Sequence, residues 1–429
     1  FYILLGVEYN RFNKFDSNVK FNDTQKFIEF DDEKKIKKIL DKLKYKKDIA
    51  NFIYNINKNR LCIDTKTEIL TNGDRKKERL FEEIKKAEKF INIEYFILKE
   101  GMFFNELIEL LISKVNQGVE VRILMDDFGC VDIKKATIKR IKQKGIKVAV
   151  FNKINFRLLR PSINYRNHRK IIVIDNKVAL TGGINIGDEY LHLDKYYGFW
   201  RDTHILIEGS AVTDLNLIFL KDWYNSTGEI LDTDKFLIKH TVDNKNSLVQ
   251  IVEDGPDKNF NVIKHSYFKM INEANERVWI TTPYLILDVE LISALKIAAL
   301  SGIDVRIIVP GLHDKGKTTI YKATEAYFSE LLEAGVKIYK YNKRFIHSKV
   351  LIIDDDIASV GTVNFDYRSF ELHFEVTVLL YLDNTIKDLI KDYETDLSNS
   401  KEVLWEKWKK RNKIQKLIES IVRIFSPLL

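Results

Sequence analysis

Two stretches of this chain carry the same reactive side chains at the same spacing. His168-Arg-Lys170 is followed by Asp175, and His347-Ser-Lys349 by Asp354, so the pattern His-x-Lys-x4-Asp occurs twice. Six residues separate each Asp from a Gly-x-x-Asn, namely Gly182-Gly-Ile-Asn185 and Gly361-Thr-Val-Asn364. One copy would carry little weight, because a lone histidine is usually structural and a lone lysine at a strand end usually solvated. Folding alone gives no reason to place imidazole, ammonium and amide identically twice. The combined set has no clustered carboxylates of the kind that bind Mg²⁺ or Ca²⁺. It suits a phosphodiester. Lys170, Lys349, Asn185 and Asn364 would hold the non-bridging oxygens and stabilise transition-state charge, a task a metal performs elsewhere, so no metal or cofactor is required. One histidine can attack phosphorus to give a phosphohistidine, while the other protonates the leaving alcohol and then deprotonates the incoming one. A carboxylate on the far ring nitrogen would fix each tautomer. Asp202 in FWRDTH and Glu375 in LHFEVT, each before a β-like run, are the candidates. Asp175 and Asp354 fall at odd spacing from their histidines, so an ion pair or turn cap fits them as well as a part in the chemistry.

These side chains need elements that bring them together. His168 and Lys170 are two apart on a strand and share a face, as do His347 and Lys349. IIVID and VALTG, joined at Asn176-Lys177, read as a hairpin that returns Asn185 toward His168 and Lys170. The same folding returns Asn364 toward His347 and Lys349. The repeat extends well beyond the motif. LTNGD (70–74), KFINIEYFIL (89–98), QGVEVRILMD (117–126) and KGIKVAVFNK (144–153) have counterparts at 252–257, 277–287, 301–310 and 334–343, in the same order and at a nearly constant offset. That is a duplicated domain and not a solenoid. Short β-branched runs alternate with helical patterns such as RLFEEIKKAEKF, so each half is expected to be an α/β domain, a mixed sheet flanked by helices. The two halves should pack about a pseudo-twofold axis with both motifs at the seam. The expected divisions are 1–61, an N-terminal segment; 62–240, the first domain; and 241–429, the second, with the link near 237–245. The Lys runs of residues 20–60 read as a solvated face.

Composition bounds the rest. The chain has 429 residues, is 45% hydrophobic and carries 70 Lys+Arg against 62 Asp+Glu, so it can bury large cores and favours an anionic partner. Nucleic acid and an acidic membrane surface satisfy that charge equally. Two cysteines, Cys62 and Cys130, exclude a disulfide framework. FYILLG at the start reads as a buried strand or helix end, or as the stub of a membrane helix. Near the end, Ile414, Leu417, Ile418, Ile421, Val422 and Phe425 recur at helical spacing behind a run of Lys and Trp. Such a helix can lie on an anionic bilayer or dock on the protein's own core.

The duplicated motif resembles the HKD signature of the phospholipase D superfamily, and the resemblance runs from about residue 62 to the end. Within it the chain is most similar to the bacterial cardiolipin synthases, in GGINIGDEYL, YGFWRDTHILIEG, GTVNFDYRSFELHFEV and the terminal PLL. Cys130 in MDDFGC stands where that family often has Ser. The resemblance implies catalytic roles for His168, Lys170, Asp175, His347, Lys349 and Asp354, with His168 as nucleophile. It implies condensation of two phosphatidylglycerols to cardiolipin with loss of glycerol, at the cytoplasmic side of a bacterial cell membrane. It also implies two N-terminal transmembrane helices, of which FYILLG would be the end of the second. Phosphatidylglycerol and an anionic membrane surface are then the expected partners, and nucleic acid is not. The competing readings are a phosphodiesterase that hydrolyses phospholipid or nucleic acid, and a catalytically dead membrane scaffold, which would need neither histidine.

Overall fold

The duplicated apolar runs become strands of one sheet. The computed structural model describes residues 41, 46–153, 164–238, 240, 242 and 247–425. FYILLG and most of the segment preceding the first strand lie outside the described residues, as does most of the expected link at 237–245.

The first half supplies β1 (Leu61–Thr71), β2 (Phe90–Tyr95), β3 (Glu120–Asp126), β4 (Lys147–Phe151), β5 (Lys170–Ile174), β6 (Val178–Gly182), β7 (Trp200–Arg201) and β8 (Thr203–Gly209). The second supplies β9 (Ser247–Asp254), β10 (Arg277–Thr281), β11 (Leu285–Ile286), β12 (Asp304–Pro310), β13 (Lys337–Tyr341), β14 (Phe345–Ile346) and β15 (Val350–Ile353). It continues with β16 (Ile357–Gly361), β17 (Phe365–Asp366), β18 (Glu375–Tyr381) and β19 (Ser400–Glu402). Outward from the centre, the first half runs β1-β8-β6-β5-β2-β3-β4 and the second β9-β18-β16-β15-β10-β12-β13-β19. The common order is the duplication made visible. β1 and β9 pair antiparallel, so the two half-sheets join edge to edge into a single 15-stranded sheet. Each half is mixed: β2-β3-β4 and β10-β12-β13 are parallel, the hairpins antiparallel.

Helices cover both faces, which is why strands such as KIIVI and VLII are buried throughout. Helices Asn72–Lys86 and Met102–Asn116 lie on one face of the first half; Val262–Asn272 and Val289–Leu300 are their counterparts in the second. On the opposite face, Ala211–Thr227 and Asn384–Ser398 share one apolar core that spans both halves, from Phe90 and Ile207 to Val378 and Tyr393. Each of these two helices also packs on the central strand of the other half.

Helix Lys46–Asn57 departs from the solvated face expected of the Lys-rich segment. Its Ile49, Ala50 and Ile53 are buried in the core of the second half. Lys46 is 1% exposed and ion-paired with Asp354 at 2.9 Å and Asp356 at 2.7 Å. No helix among the described residues is long and apolar enough to cross a membrane.

Candidate active site

Both histidines sit just ahead of their hairpin strands, on segments that cross to the other half. Asn167 bridges Phe374, and the His168 N–H donates to the Phe374 carbonyl at 2.9 Å. β14 pairs in parallel with β7, and the His347 N–H donates to the Arg201 carbonyl at 2.7 Å. This changes the expected local picture, in which each histidine belongs to its own hairpin: its backbone partner comes from the opposite half. The hairpin itself forms, with Ile174 facing Val178. Its turn is centred one residue earlier than the spacing suggested, on Asp175 and Asn176, both at positive φ (54° and 55°). Those angles fit a type I′ turn and suit the twist of the strands.

The crossing decides the chemistry. His168 Nδ1 lies 2.9 and 3.0 Å from the two oxygens of Glu375, and His347 Nδ1 lies 2.8 Å from Asp202. Each imidazole is therefore oriented by a carboxylate of the other half. With Nδ1–H given to the carboxylate, Nε2 is the reactive nitrogen of both rings. The two carboxylates are seated differently. A Cβ on Gly183 would come within 2.1 Å of Asp202, so only glycine leaves room for it. At the matching position Thr362 donates its hydroxyl to the longer Glu375.

Lys170 and Lys349 are buried beside the rings. The Lys170 ammonium donates to the His168 carbonyl at 2.7 Å, and that of Lys349 to the His347 carbonyl. Lys349 Nζ is also 2.8 Å from His347 Nδ1. That nitrogen cannot donate to Asp202 and accept from an ammonium at once, so we assign its proton to Asp202 and the ammonium's bond to the carbonyl. The residues between, Arg169 and Ser348, point to the opposite face. There they stitch the halves together, Arg169 to Glu253 at 3.0 Å and to the Glu375 carbonyl at 3.2 Å, and Ser348 to Thr203 at 2.7 Å.

Burial dominates the electrostatics. It lowers His168 well below the ordinary imidazole value, with Lys170 and Lys349 adding to the effect. It lowers His347 to about 4, again with Lys349 opposing protonation, while Asp202 favours it. Lys170 is pushed down to about 7 and Lys349 to about 8, burial first in both. For Asp202 burial acts upward, but Lys349 and His347 outweigh it and the net shift is down. Asp202 and Glu375 balance the two ammonium groups from the far side of the rings, and the buried Lys170 and Lys349 remain the groups that an anion entering the site would meet.

Asn185 is tied to the segment that packs on the first ring. Its Oδ1 accepts from Ile97 N–H at 3.3 Å, next to Phe96, whose ring is 4.9 Å from that of His168. Its Nδ2 donates to the Tyr190 hydroxyl at 2.7 Å. Its carbonyl is fixed by the buried Lys76 at 3.1 Å. Asn364 follows Thr362 on the matching loop, and its Oδ1 is buried without a partner among the described residues.

Asp175 and Asp354 are not brought to the rings. They close β5 and β15 at the ends away from the lysines, roughly 16 Å along the strand. Asp175 accepts from the N–H groups of Glu88, Lys89 and Phe90 at 2.7–2.8 Å. Asp354 does the same for Asn275, Glu276 and Arg277 and also holds Lys46. Of the two readings the sequence left open, this placement supports the turn cap and ion pair. Asp354→Ala should therefore destabilise the fold by about 1.5–3 kcal/mol, since it removes the charged acceptor of three backbone N–H groups and one of the two carboxylates on Lys46, while transfer per folded molecule is retained. Backbone N–H groups and Lys46 hold the Asp354 carboxyl down to about 2 in the folded protein, burial opposing them. Its stabilisation is thus complete above the ordinary carboxylate value and lost as pH falls to about 2. Urea unfolding of wild type and Asp354→Ala across that range should converge at the acid end.

His373, in the bend two residues before β18, escaped the sequence reading. Its ring lies 5.6 Å from that of His168, its Nδ1 is 3.8 Å from Glu375, and neither of its buried nitrogens makes a hydrogen bond among the described residues. His168, His373 and Glu375 bring possible ligand atoms within 4.8 Å of one another. Lys170 and Lys349 would oppose a divalent cation there.

The chain matches the family described as cardiolipin synthase, PLD-like domain, over residues 80–223 and 267–397. It is 45% identical to cardiolipin synthase 2 of Bacillus anthracis over 370 residues, 86% of this chain and 72% of the relative. It is 41% identical to a cardiolipin synthase of Geobacillus sp. (strain WCH70) over 431 residues, 100% of this chain and 85% of that one. In fold it is similar to the crystal structure of phosphatidylserine synthase from Haemophilus influenzae Rd KW20, with TM-score 0.65 at 14% identity, covering 89% of this chain and 98% of that one. Two HKD motifs, each with its histidine held by a carboxylate of the other half, and identities of this extent lead to one conclusion: the chain belongs to the cardiolipin synthase family of phospholipase D-like phosphatidyl transferases.

Proposed function

We propose that this site joins two phosphatidylglycerols into cardiolipin in two steps. The observation that carries the reading is the pair of crossed His–carboxylate couples, each with a buried lysine beside it. In the first step Nε2 of His168 attacks phosphorus, the bond to glycerol breaks, and His347 gives its proton to the departing oxygen. In the second, neutral His347 takes a proton from a hydroxyl of the second phosphatidylglycerol, whose oxygen displaces His168 from phosphorus. The strongest influences on His168 all oppose its protonation, which suits a nucleophile. Asp202 favours the charged form of His347, which suits the proton carrier. The bound phosphodiester adds a negative charge beside both lysines and His347, so all three hold their protons more firmly in the complex than in the empty site. Lys170, Lys349, Asn185 and Asn364 receive its non-bridging oxygens.

An apolar rim supports lipid over nucleic acid as substrate. Met102, at the start of the helix after β2, and Phe128, Val131 and Leu193, in the connections after β3 and β6, are 47–76% exposed. Nucleic-acid grooves instead combine a long basic track with stacking aromatics. We place the site at the cytoplasmic face of a bacterial membrane and read 62–240 and 241–429 as its two domains.

The purified protein in mixed micelles with phosphatidylglycerol should yield cardiolipin and glycerol. The rate should survive chelation of divalent ions, because ammonium groups provide the charge stabilisation. Phosphatidic acid as the sole product would replace transfer by hydrolysis. Complete loss in chelator, restored by one metal, would point to a ligand set at His168, His373 and Glu375.

A further inference from the structure

Helix Lys413–Ile424 has its apolar face turned outward. Ile414 (70% exposed), Leu417 (61%), Ile421 (47%) and Ile424 (75%) form one ridge on it, flanked by Ile418 and Phe425. The helix is held from its other side, largely by polar contacts. Arg423 pairs with Glu330 at 2.5 Å and stacks on Tyr327, Arg411 pairs with Glu419, and only Val422 packs inward on the core of the second half. A surface helix of a globular protein ordinarily does the reverse and buries its apolar stripe.

We infer that this helix is an interfacial element that lies on an anionic lipid surface. The inference rests on the lipid-transfer reading above and names the surface that presents the lipid. Charge selects that occupant. Lys407, Lys409, Lys410, Lys413 and Lys416 approach or border the ridge, matching the basic polar flank of helices that lie in the headgroup region. Size excludes a stable protein partner on the ridge alone. A helix of 12 residues is about 18 Å long and about 10 Å across, so its ridge offers roughly 200 Å², far short of the ~800 Å² per partner of a standard interface. Position gives the contact a use. The helix packs along Thr318–Ala326. The loop before that helix carries Asp314 and Lys317, paired at 2.7 Å, and the charge of Lys317 is felt by both His168 and Lys349. A lipid surface under the helix therefore lies beside an edge of the site.

The test labels the ridge itself, so that lipid contact elsewhere in the chain does not count. Both native cysteines are buried, so Ile424→Cys can be labelled selectively with an environment-sensitive fluorophore. Its emission should shift to the blue with vesicles containing phosphatidylglycerol and not with vesicles of phosphatidylcholine alone. Leu417→Glu with Ile421→Glu should abolish the shift and lower transfer on vesicles at least tenfold. Transfer between short-chain phosphatidylglycerol molecules in solution should stay unchanged. Lys413→Ser with Lys416→Ser should leave the ridge intact and weaken the shift most at low salt. An unchanged shift in the Leu417/Ile421 variant would overturn the inference. So would a shift lost only through a change in oligomeric state, since the ridge would then be a contact between copies of the chain. If no cardiolipin forms under any condition while the shift behaves as described, the transfer reading fails and the surface stands.

Discussion

Replacing His168 by Ala should abolish formation of a covalent intermediate, whereas replacing His347 by Ala should make that intermediate visible. The first variant removes the attacking nitrogen, and its transfer rate should fall by on the order of 10⁴–10⁶-fold. The second keeps the nucleophile but leaves the glycerol alkoxide unprotonated, so attack on phosphatidylglycerol should slow by about 10²–10⁴-fold. A substrate with a nitrophenol leaving group needs no proton, and with it His347→Ala should accumulate a phosphatidyl-enzyme. That species should persist, because no base activates the second alcohol. A phosphoramidate is acid-labile and comparatively base-stable, so labelled lipid retained in alkali and released in acid identifies it. Trapping on His168→Ala alone would exchange the roles of the two histidines. Transfer without any trapped species in either variant would exclude covalent catalysis.

The crossed carboxylates make a second expectation that a self-contained pair of domains would not. Glu375→Gln removes the acceptor that holds His168 Nδ1–H, although Glu375 follows the second motif in the chain. It should therefore resemble a lesion of the first motif, with slow and incomplete trapping from the nitrophenyl substrate. Asp202→Asn removes the partner of His347 and should instead trap the intermediate as His347→Ala does. Loss of tautomer control of this kind costs up to about 10⁴-fold in rate. Combining Glu375→Gln with His168→Ala should add little to His168→Ala alone, because the two act through one ring. If each carboxylate variant instead shared the phenotype of the histidine in its own half, the crossing would be irrelevant to catalysis. The near-isosteric amides guard against misfolding, and the unfolding midpoint of each variant distinguishes lost orientation from lost structure.

Much of this was legible in the sequence. The duplication fixed two copies of one strand order, because the period-two and helical patterns that encode elements are local and survive copying. The motif named both histidines, both lysines and both asparagines, and their place downstream of each asparagine, before a β-like run, pointed to Asp202 and Glu375. What lay beyond it was pairing between distant segments. No local pattern says that β1 meets β9, so neither the continuous sheet nor the exchange of carboxylates between halves could be read from spacing. The same holds for Lys46, which looked like one more solvated lysine until Asp354 of the second half closed over it. His373 stands only two residues from Glu375, but only tertiary packing set its ring beside His168. The terminal helix shows the limit most plainly. Its periodicity specified an apolar ridge, and only the polar contacts of Arg411, Glu419 and Arg423 on its opposite side decided that the ridge faces outward. Local sequence determines what an element is, while its orientation follows from which surfaces remain to be buried once the elements meet.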